Sequence, residues 1–299
     1  MSVSHDHHQR TILAPAICAG VGVHTGRRVR LVVRPAPAGA GIVFVRTDVK
    51  DRENRIRVSG EAVVDARLNT MIENAAGVRL STIEHLMAAF AALGIANVTV
   101  EVDGPELPIL DGSARDFVNL LDRAGFRRQP TPVRYIEILE PVHVTEGDKH
   151  AALTPCDRYE MRFEIDFPTP VIGNQVIDFV VDEATFRRDI MAARTFGFAH
   201  GVEALRQAGL ARGGSLENAV VIDGDDILNP GGLRMEREFV RHKALDAIGD
   251  LYVLGAPLLG RYDGYKAGHA VNNKLVRALL AQPHAWRETV RVPELARAG

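Results

Sequence analysis

The pair of residues best placed for metal chemistry is His242 and Asp246, in residues 238–250 (EFVRHKALDAIGD). Four residues advance an α-helix by slightly more than one turn, so both side chains would project from one face, about 6 Å apart along the axis. An imidazole and a carboxylate in that geometry can share one divalent ion. The alternative is an exposed ion pair worth about 0.3–0.5 kcal/mol. Apolar flanking residues argue against full exposure, and buried polar pairs need partners or metals.

His85 supplies a third candidate ligand, and Glu84 precedes it directly in residues 81–86 (STIEHL). Two histidines and an aspartate bind Zn²⁺ and leave a fourth position for water, which is typical of catalytic zinc sites. A glutamate beside a ligand could take the proton from that water, because zinc lowers the pKa of bound water to about 7. Ser81 and Glu84 also fit a capping box, in which Glu84 would bond to the helix backbone instead. The residues alone leave both roles open for Glu84.

His269 follows a glycine at the predicted start of a helix, where acid–base groups are often exposed. The helix N-terminus would lower the pKa of His269 unless a carboxylate compensates. Asp250 is the candidate carboxylate, because it lies two turns beyond His242 on the same face. If the metal site exists, we expect His269 to act as an acid. His24, in the glycine-rich residues 20–26 (GVGVHTG), could reach a site or belong to a structural turn, and the residues leave both open. We assign the other histidines to the surface or to an N-terminal tail.

Elements that could position these groups recur in two halves of the chain. In the first half, apolar residues 29–33 and 42–45 flank a turn-rich segment and predict a β-hairpin or meander. Periodicity then predicts a helix from Ser81 to Gly94, a strand over residues 97–102 and a helix from Ser113. In the second half, strands are predicted at 135–139, 159–167 and 176–181, followed by a helix at 237–254, a strand at 257–262 and a helix at 269–280.

The shared order of strands followed by helix, strand and helix indicates an α+β fold built by duplication. We place a disordered tail at residues 1–9, a first α+β domain at 10–128 and a second at 132–299, separated by the polar, proline-bearing residues 127–132 (RRQPTP). The second domain carries an insertion at about 183–232. Insertions of that length inside a compact unit are usually functional or mobile.

The composition argues against several classes of protein, among them nucleic-acid-binding, disulfide-rich and membrane-spanning proteins. In 299 residues, 36 Lys and Arg against 38 Asp and Glu leave a formal charge of −2, so no global charge favours nucleic acid. Two distant cysteines exclude a disulfide framework and a cysteine-based zinc site, and they favour a reducing cytoplasm. No apolar run reaches the roughly 20 residues that span a bilayer. The chain also lacks the glycine-rich phosphate loops of dinucleotide and P-loop folds.

Six short segments closely resemble the UDP-3-O-acyl-N-acetylglucosamine deacetylase family, the zinc amidases of lipid A synthesis in Gram-negative bacteria. They are residues 20–26 (GVGVHTG), 81–86 (STIEHL), 107–113 (LPILDGS), 193–198 (ARTFGF), 239–251 (FVRHKALDAIGDL) and 268–275 (GHAVNNKL). Each segment alone is a weak signal. Six in the family's order, over about residues 10–280, are highly specific.

The resemblance implies an architecture and a set of residue roles. The fold would be two β-α-α-β sandwich domains with the active site between them. One Zn²⁺ per chain, or Fe²⁺ in the cell, would be held by His85, His242 and Asp246. The implied catalytic groups are Glu84 as general base, His269 as general acid or electrostatic partner, Asp250 as the residue that orients it, and Thr195 on the oxyanion. Phe196 and Lys243 match substrate-contacting positions.

The insertion is implied to form a hydrophobic passage for the acyl chain of the substrate. Apolar residues available for it are Phe196, Phe198, Val202, Leu205 and Leu210, although packing of a small helix would explain them equally well. The implied reaction removes the 2-N-acetyl group of UDP-3-O-acyl-N-acetylglucosamine and gives acetate and UDP-3-O-acyl-glucosamine. This is the committed step of lipid A biosynthesis.

For partners we expect that substrate, no nucleic acid, no stable membrane insertion and a monomer. We expect a cytoplasmic protein with transient contact at the inner membrane surface, although no basic amphipathic helix supports that contact. Two other classes stay open. A mononuclear iron oxygenase also uses two histidines and a carboxylate, but a glutamate beside a ligand has no role in oxygen activation. A non-catalytic sugar-nucleotide-binding or structural-metal protein would not need Glu84 at all.

Overall fold

The computed structural model describes residues 7–291. The strands of the first half are β1 (His8–Ile12), β2 (Ala16–Val21), β3 (Arg28–Pro35), β4 (Ile42–Arg46), β5 (Arg55–Arg57), β6 (Val63–Asp65), β7 (Met71–Glu73), β8 (Arg79–Leu80), β9 (Val98–Val102) and β10 (Phe126–Pro132). Its α-helices are α1 (Glu84–Ala92) and α2 (Arg115–Ala124), and a 3₁₀ turn lies at Gly60–Ala62.

The second half has a similar mixture of elements. Its strands are β11 (Arg134–Ile138), β12 (Val142–Glu146), β13 (Lys149–Thr154), β14 (Tyr159–Asp166), β15 (Asn174–Val180), β16 (Phe196–Phe198), β17 (Val220–Asp223), β18 (Asp226–Ile227), β19 (Leu258–Tyr265) and β20 (Trp286–Val290). Its helices are α3 (Glu183–Thr185), which runs into a π-helical turn at Phe186–Ile190, α4 (Ala199–Gln207), α5 (Glu238–Leu251), extended by a 3₁₀ turn at Tyr252–Leu254, and α6 (His269–Leu280). Within residues 7–291, no helix has the length and apolar character to cross a bilayer.

The first half is organised around β9 at the centre of a five-stranded sheet with the order β2-β3-β9-β4-β5. Alternate residues of β9, Val98, Val100 and Val102, are fully buried, as expected of a strand that covers a core on one face. Strand β3 pairs with β9 antiparallel and β4 pairs with it parallel. The predicted hairpin or meander between β3 and β4 is therefore wrong, because β9 lies between them.

In the second half, β19 has the corresponding central position in a seven-stranded sheet. It pairs antiparallel with β13 and parallel with β11 and β14, and β12, β15 and β20 complete the sheet. Just as α1 and α2 flank β9 along the chain, α5 and α6 flank β19. The predicted α+β class, with helix, strand and helix repeated in each half, is confirmed.

The two halves meet where α1 packs against α5. Both helices are buried over most of their length. A Cβ added at Gly249 would lie 2.0 Å from the backbone oxygen of Glu84, so the helices approach as closely as they do only because α5 has glycine there. This crossing brings the start of α1 next to the middle of α5.

The N-terminal tail was predicted too long. His8 and Gln9 belong to β1, which pairs antiparallel with β10, the segment predicted as the boundary between domains. Asn97 donates its amide protons to the side-chain oxygens of Gln9 and Gln129, both at 2.8 Å, so these polar residues are buried in a hydrogen-bonded network. Residues 1–6 lie outside the described residues. The domain limits 10–128 and 132–299 stay a prediction.

The predicted insertion contains structure of its own. Strands β16, β17 and β18 form a three-stranded sheet beside α4. No residue of α4 is fully buried. The segment is held to the start of α5 by the ion pair between Arg194 and Glu238, at 2.8 Å.

Candidate active site

Three candidate metal ligands from the two halves converge at the α1–α5 crossing. His85 comes from α1, whereas His242 and Asp246 come from α5, and one ligand atom of each lies within 4.8 Å of the others. Each residue is at most 4% exposed. The Nε2 atoms of His242 and His85 lie 3.3 and 3.5 Å from Asp246 Oδ1. Within residues 7–291 that buried oxygen has no hydrogen-bond donor, so it is left for a cation.

The protonation states of His242 and Asp246 also favour metal binding. His242 Nδ1 lies 3.0 Å from the carbonyl oxygen of Ala193, which can only accept, so Nδ1 carries the proton and Nε2 is free to ligate. Burial lowers the pKa of His242 to about 4, which keeps its ring neutral. Burial alone would raise the pKa of Asp246, but His242 and Lys243 hold it well below its usual range. Neutral imidazoles and an ionised carboxylate are the donors that Zn²⁺ requires.

Glu84 is the first residue of α1 and is 3% exposed. Its Oε2 accepts a hydrogen bond from the backbone N–H of Thr70, at 3.1 Å. The capping-box alternative is wrong: the N-cap residue is Ile83, no side chain caps the helix, and the Ser81 hydroxyl donates to the carbonyl of Pro105. Burial raises the pKa of Glu84, which suits a group that must take up a proton near neutral pH.

His269 begins α6 and lies beside the three carboxylates of the site, those of Asp250, Asp246 and Glu84. Its Nδ1 lies 2.9 and 3.1 Å from the two oxygens of Asp250, and its Nε2 lies 3.9 Å from Glu84 Oε1. Burial alone would lower the pKa of His269, but Asp250 and Asp246 raise it to about 9. The compensation by Asp250 that the sequence requires is therefore present, and the ring is charged at neutral pH.

These side chains open into one cavity of about 650 Å³, a volume typical of small-molecule sites. Eight of the nine predicted site residues line it: Glu84, His85, Thr195, Phe196, His242, Lys243, Asp246 and His269. The ninth, Asp250, lies behind His269. Val202 and Leu205 line the same cavity, whereas Phe198 and Leu210 do not.

The wall of the cavity that the insertion forms is held in place by backbone hydrogen bonds of Thr195. The backbone N–H of Thr195 donates to the carbonyl of Gly112, and its own carbonyl accepts from Val220 N–H, both at 2.8 Å. These bonds hold Thr195 in the cavity wall. Lys243, which also lines the cavity, donates from Nζ to Asp246 Oδ2 at 2.8 Å and lies 5.8 Å from the centre of the Phe196 ring.

Glu106, which supports the turn at His24, is a residue that sequence reasoning missed. Of the two alternatives for His24, the structure favours a place at the site, because His24 lines the cavity. The buried carboxylate of Glu106 accepts from the backbone N–H groups of His24 and Thr25 and from the hydroxyl of Thr82, at 2.8–3.1 Å. Thr82 has φ +60°, a strained conformation for a β-branched residue, two positions before Glu84. The glycines of residues 20–26 indicated the turn, but nothing in the sequence pointed to Glu106.

Comparison with known proteins agrees with this geometry. The family model described as LpxC, UDP-3-O-acyl N-acetylglycosamine deacetylase, matches residues 9–281. A UDP-3-O-acyl-N-acetylglucosamine deacetylase of Phenylobacterium zucineum (strain HLK1) is 63% identical over 290 residues, which cover 97% of this chain and 99% of the relative. Proteins of the same name from Myxococcus xanthus (strain DK1622) and Shewanella sp. (strain ANA-3) are each 51% identical over 280 residues, covering 94% and 93% of this chain and 88% and 91% of theirs. The chain belongs to the UDP-3-O-acyl N-acetylglycosamine deacetylase family.

Proposed function

We propose that this protein removes the 2-N-acetyl group of UDP-3-O-acyl-N-acetylglucosamine and releases acetate and UDP-3-O-acyl-glucosamine, the committed step of lipid A biosynthesis. Family membership over residues 9–281 supports the substrate and the reaction. The single observation that carries the chemistry is the buried carboxylate of Glu84 beside the ligand cluster of His85, His242 and Asp246. That combination suits hydrolysis rather than oxygen activation or simple binding.

The resident metal would be one Zn²⁺ per chain, with Fe²⁺ as an alternative in the cell. The imidazoles of His85 and His242 and the ionised carboxylate of Asp246, with a buried oxygen that lacks a donor, fit such an ion. When bound, the ion would supply Lewis-acid activation of the amide carbonyl and of water. His85, His242 and Asp246 would hold it.

Glu84 would remove a proton from the water whose oxygen forms the new bond to the carbonyl carbon. The raised pKa of Glu84 matches this role as a proton acceptor. The Thr195 hydroxyl would donate to the oxyanion that develops on the carbonyl oxygen. The carbon–nitrogen bond then breaks, and the amine takes its proton from His269, which Asp250 keeps oriented and charged, or from Glu84 after it has accepted the water proton.

Lys243 and Phe196 would contact the substrate from the cavity wall. The half-buried Lys243 side chain lies between Asp246 and the face of Phe196, so its charge lies next to the reacting centre. Val202 and Leu205 continue the apolar wall away from the ligand cluster and would receive the acyl chain. The protein is further proposed to act as a cytoplasmic monomer that contacts the inner membrane surface only transiently.

The proposal is tested by measuring acetate release from UDP-3-O-acyl-N-acetylglucosamine by the purified full-length protein. We expect stoichiometric acetate and free amine, loss of both after chelation, and recovery when Zn²⁺ is added back. Turnover should be the same without oxygen, which separates hydrolysis from an iron oxygenase. Metal-loaded, folded protein that releases no acetate would overturn the proposed function.

A further inference from the structure

Thr70 lies in the segment before β7 and connects the two halves of the active site. It is 3% exposed and donates two hydrogen bonds to carboxylates of the site. Its backbone N–H donates to Glu84 Oε2 at 3.1 Å, and its hydroxyl donates to Asp250 Oδ1 at 2.6 Å. One residue of the first half therefore holds both a carboxylate of α1 and a carboxylate of α5.

The remaining bonds of Asp250 come from the second half. Its Oδ2 accepts from His269 Nδ1 at 2.9 Å and from the side-chain amide of Asn272 at 2.8 Å. Asn272 is held in turn by the hydroxyl of Tyr262, at 2.7 Å. His269 also approaches Oδ1, at 3.1 Å, but His269 is the group that must be oriented. The Thr70 hydroxyl is thus the donor that fixes Oδ1 independently of His269.

We propose that Thr70 is a positioning residue, whose hydroxyl orients His269 through Asp250 while its N–H orients Glu84. The inference rests on the proposed roles of Glu84 and His269. The base that activates water and the acid that protonates the amine serve the same carbon–nitrogen centre, so their relative position matters. A displacement of 1 Å at a reacting group can cost about 100-fold in rate. A shared anchor limits such displacement between two halves that could otherwise shift at the α1–α5 crossing.

The test compares Thr70→Val with Thr70→Ser in the zinc-loaded, full-length protein. Valine keeps the backbone N–H and nearly the same shape but removes the hydroxyl, whereas serine keeps both donors. We expect Thr70→Val to lower kcat about 10–100-fold, because a small displacement of the acid or the base costs up to about 100-fold in rate, with KM and bound zinc unchanged. Thr70→Ser should retain kcat close to that of the wild type.

Thr11→Val is the matched control. Thr11 is also a buried threonine, and its hydroxyl donates to the carbonyl of Asn97 at 2.6 Å, but it lies in β1 and does not line the cavity. Both valine variants should lower Tm, and only Thr70→Val should lower kcat. If Thr70→Val does not fold, Thr70→Ala removes the same hydroxyl without adding a methyl group.

A double-mutant cycle with Asp250→Ala identifies the route of the effect. If Thr70 acts through Asp250, the loss caused by Thr70→Val should largely disappear when Asp250 is already alanine. The inference is overturned if Thr70→Val keeps wild-type kcat, if Thr70→Ser is equally impaired, or if the loss is undiminished in the Asp250→Ala background. A wild-type protein without deacetylase activity would instead overturn the proposed function.

Discussion

The two sides of the cavity are built differently. On the helical side, the groups for chemistry come from α1, α5 and α6, are almost fully buried, and hold one another or the backbone by hydrogen bonds, as His242 does with Ala193 and His269 with Asp250. On the insertion side, Val202 and Leu205 are half-buried on α4, a helix with no buried residue. Bond breaking requires fixed atoms, whereas an acyl chain requires only a continuous apolar surface.

The contrast teaches where each kind of substitution should act. Changes on the helical side should lower kcat, because they alter groups that act in the transition state. Changes along α4 should raise KM, because they alter surface that binds the substrate before and during reaction alike. Residues 193–195 are the exception, since the carbonyl of Ala193 accepts from the proposed metal ligand His242 and Thr195 is proposed to bind the oxyanion.

The largest effect is expected for Glu84→Gln on the helical side. Glutamine keeps the size of the side chain but cannot take the proton from water, so kcat should fall about 10²–10⁴-fold. Bound zinc should stay at one per chain, because His85, His242 and Asp246 are unchanged. Steady-state kinetics with metal analysis checks this result. Full activity of Glu84→Gln would favour a non-catalytic binding protein. It would also contradict the assignment of chemistry to the helical side and of binding to the insertion side.

The sequence predicted the helical side because its signals are local. His242, Asp246 and Asp250 share a helix, and a period of 3.6 residues places them on one face without any knowledge of the fold. His85 and His269 stand at predicted helix starts, and the structure has helices beginning at Glu84 and His269. Which helices meet could not be obtained from periodicity; it came from the resemblance to the deacetylase family.

The parts that the sequence did not predict depend on distant contacts. Thr70 bonds to Asp250, 180 positions away, and Glu106 bonds to Thr25, 81 positions away, so neither has a pattern to detect. The capping box at Ser81 and Glu84 failed because tertiary hydrogen bonds engage both side chains. The β3–β4 hairpin failed in the same way, since a strand from residues 98–102 lies between two strands that follow each other in sequence.

Thr195→Val tests whether the insertion contributes to chemistry at one point. Valine keeps the shape of threonine but removes the hydroxyl proposed to stabilise the oxyanion, so kcat should fall about 100-fold with little change in KM. Thr195→Ser, which keeps the hydroxyl, is the control and should stay near wild type. If Thr195→Val changed KM alone, Thr195 would belong to the surface that binds the substrate, as the rest of the insertion does, and would have no role in the chemical step.

Leu205→Trp tests the passage along α4 and should have a smaller effect, confined to binding. A bulkier ring in the cavity wall would displace part of the acyl chain, and each buried methylene is worth about 0.8 kcal/mol. Loss of two methylenes corresponds to a rise in KM of roughly tenfold, with kcat nearly unchanged. Ala204→Trp places the same ring on the exposed side of α4 and should leave KM unaltered. A series of substrates with shorter acyl chains checks the assignment, because the defect should shrink with chain length.

The smallest effect on activity is expected for Glu238→Gln, which weakens the ion pair that connects the insertion to α5. Glu238, the first residue of α5, is fully buried and pairs with Arg194 at 2.8 Å, directly before Thr195. Glutamine should cost about 1–3 kcal/mol of unfolding free energy at pH 7, because a buried charge-assisted hydrogen bond is weakened. Glu236→Gln, at an 82% exposed side chain, is the control and should unfold like the wild type.

The pH dependence of this loss identifies the ion pair as its cause. Burial alone would raise the pKa of Glu238, but hydrogen bonds from Arg194 hold it below its usual range. A carboxyl group whose pKa is lower in the folded than in the unfolded state stabilises the protein above the unfolded value of about 4.3, and loses that contribution as the pH falls through the folded value. Urea unfolding at pH 7 and below pH 4 should therefore show wild type and Glu238→Gln converging in acid. If the difference in unfolding free energy between wild type and Glu238→Gln were the same at both pH values, packing of the Glu238 side chain, and not its charge, would hold the insertion against α5. The contact would then resemble the apolar contacts along α4.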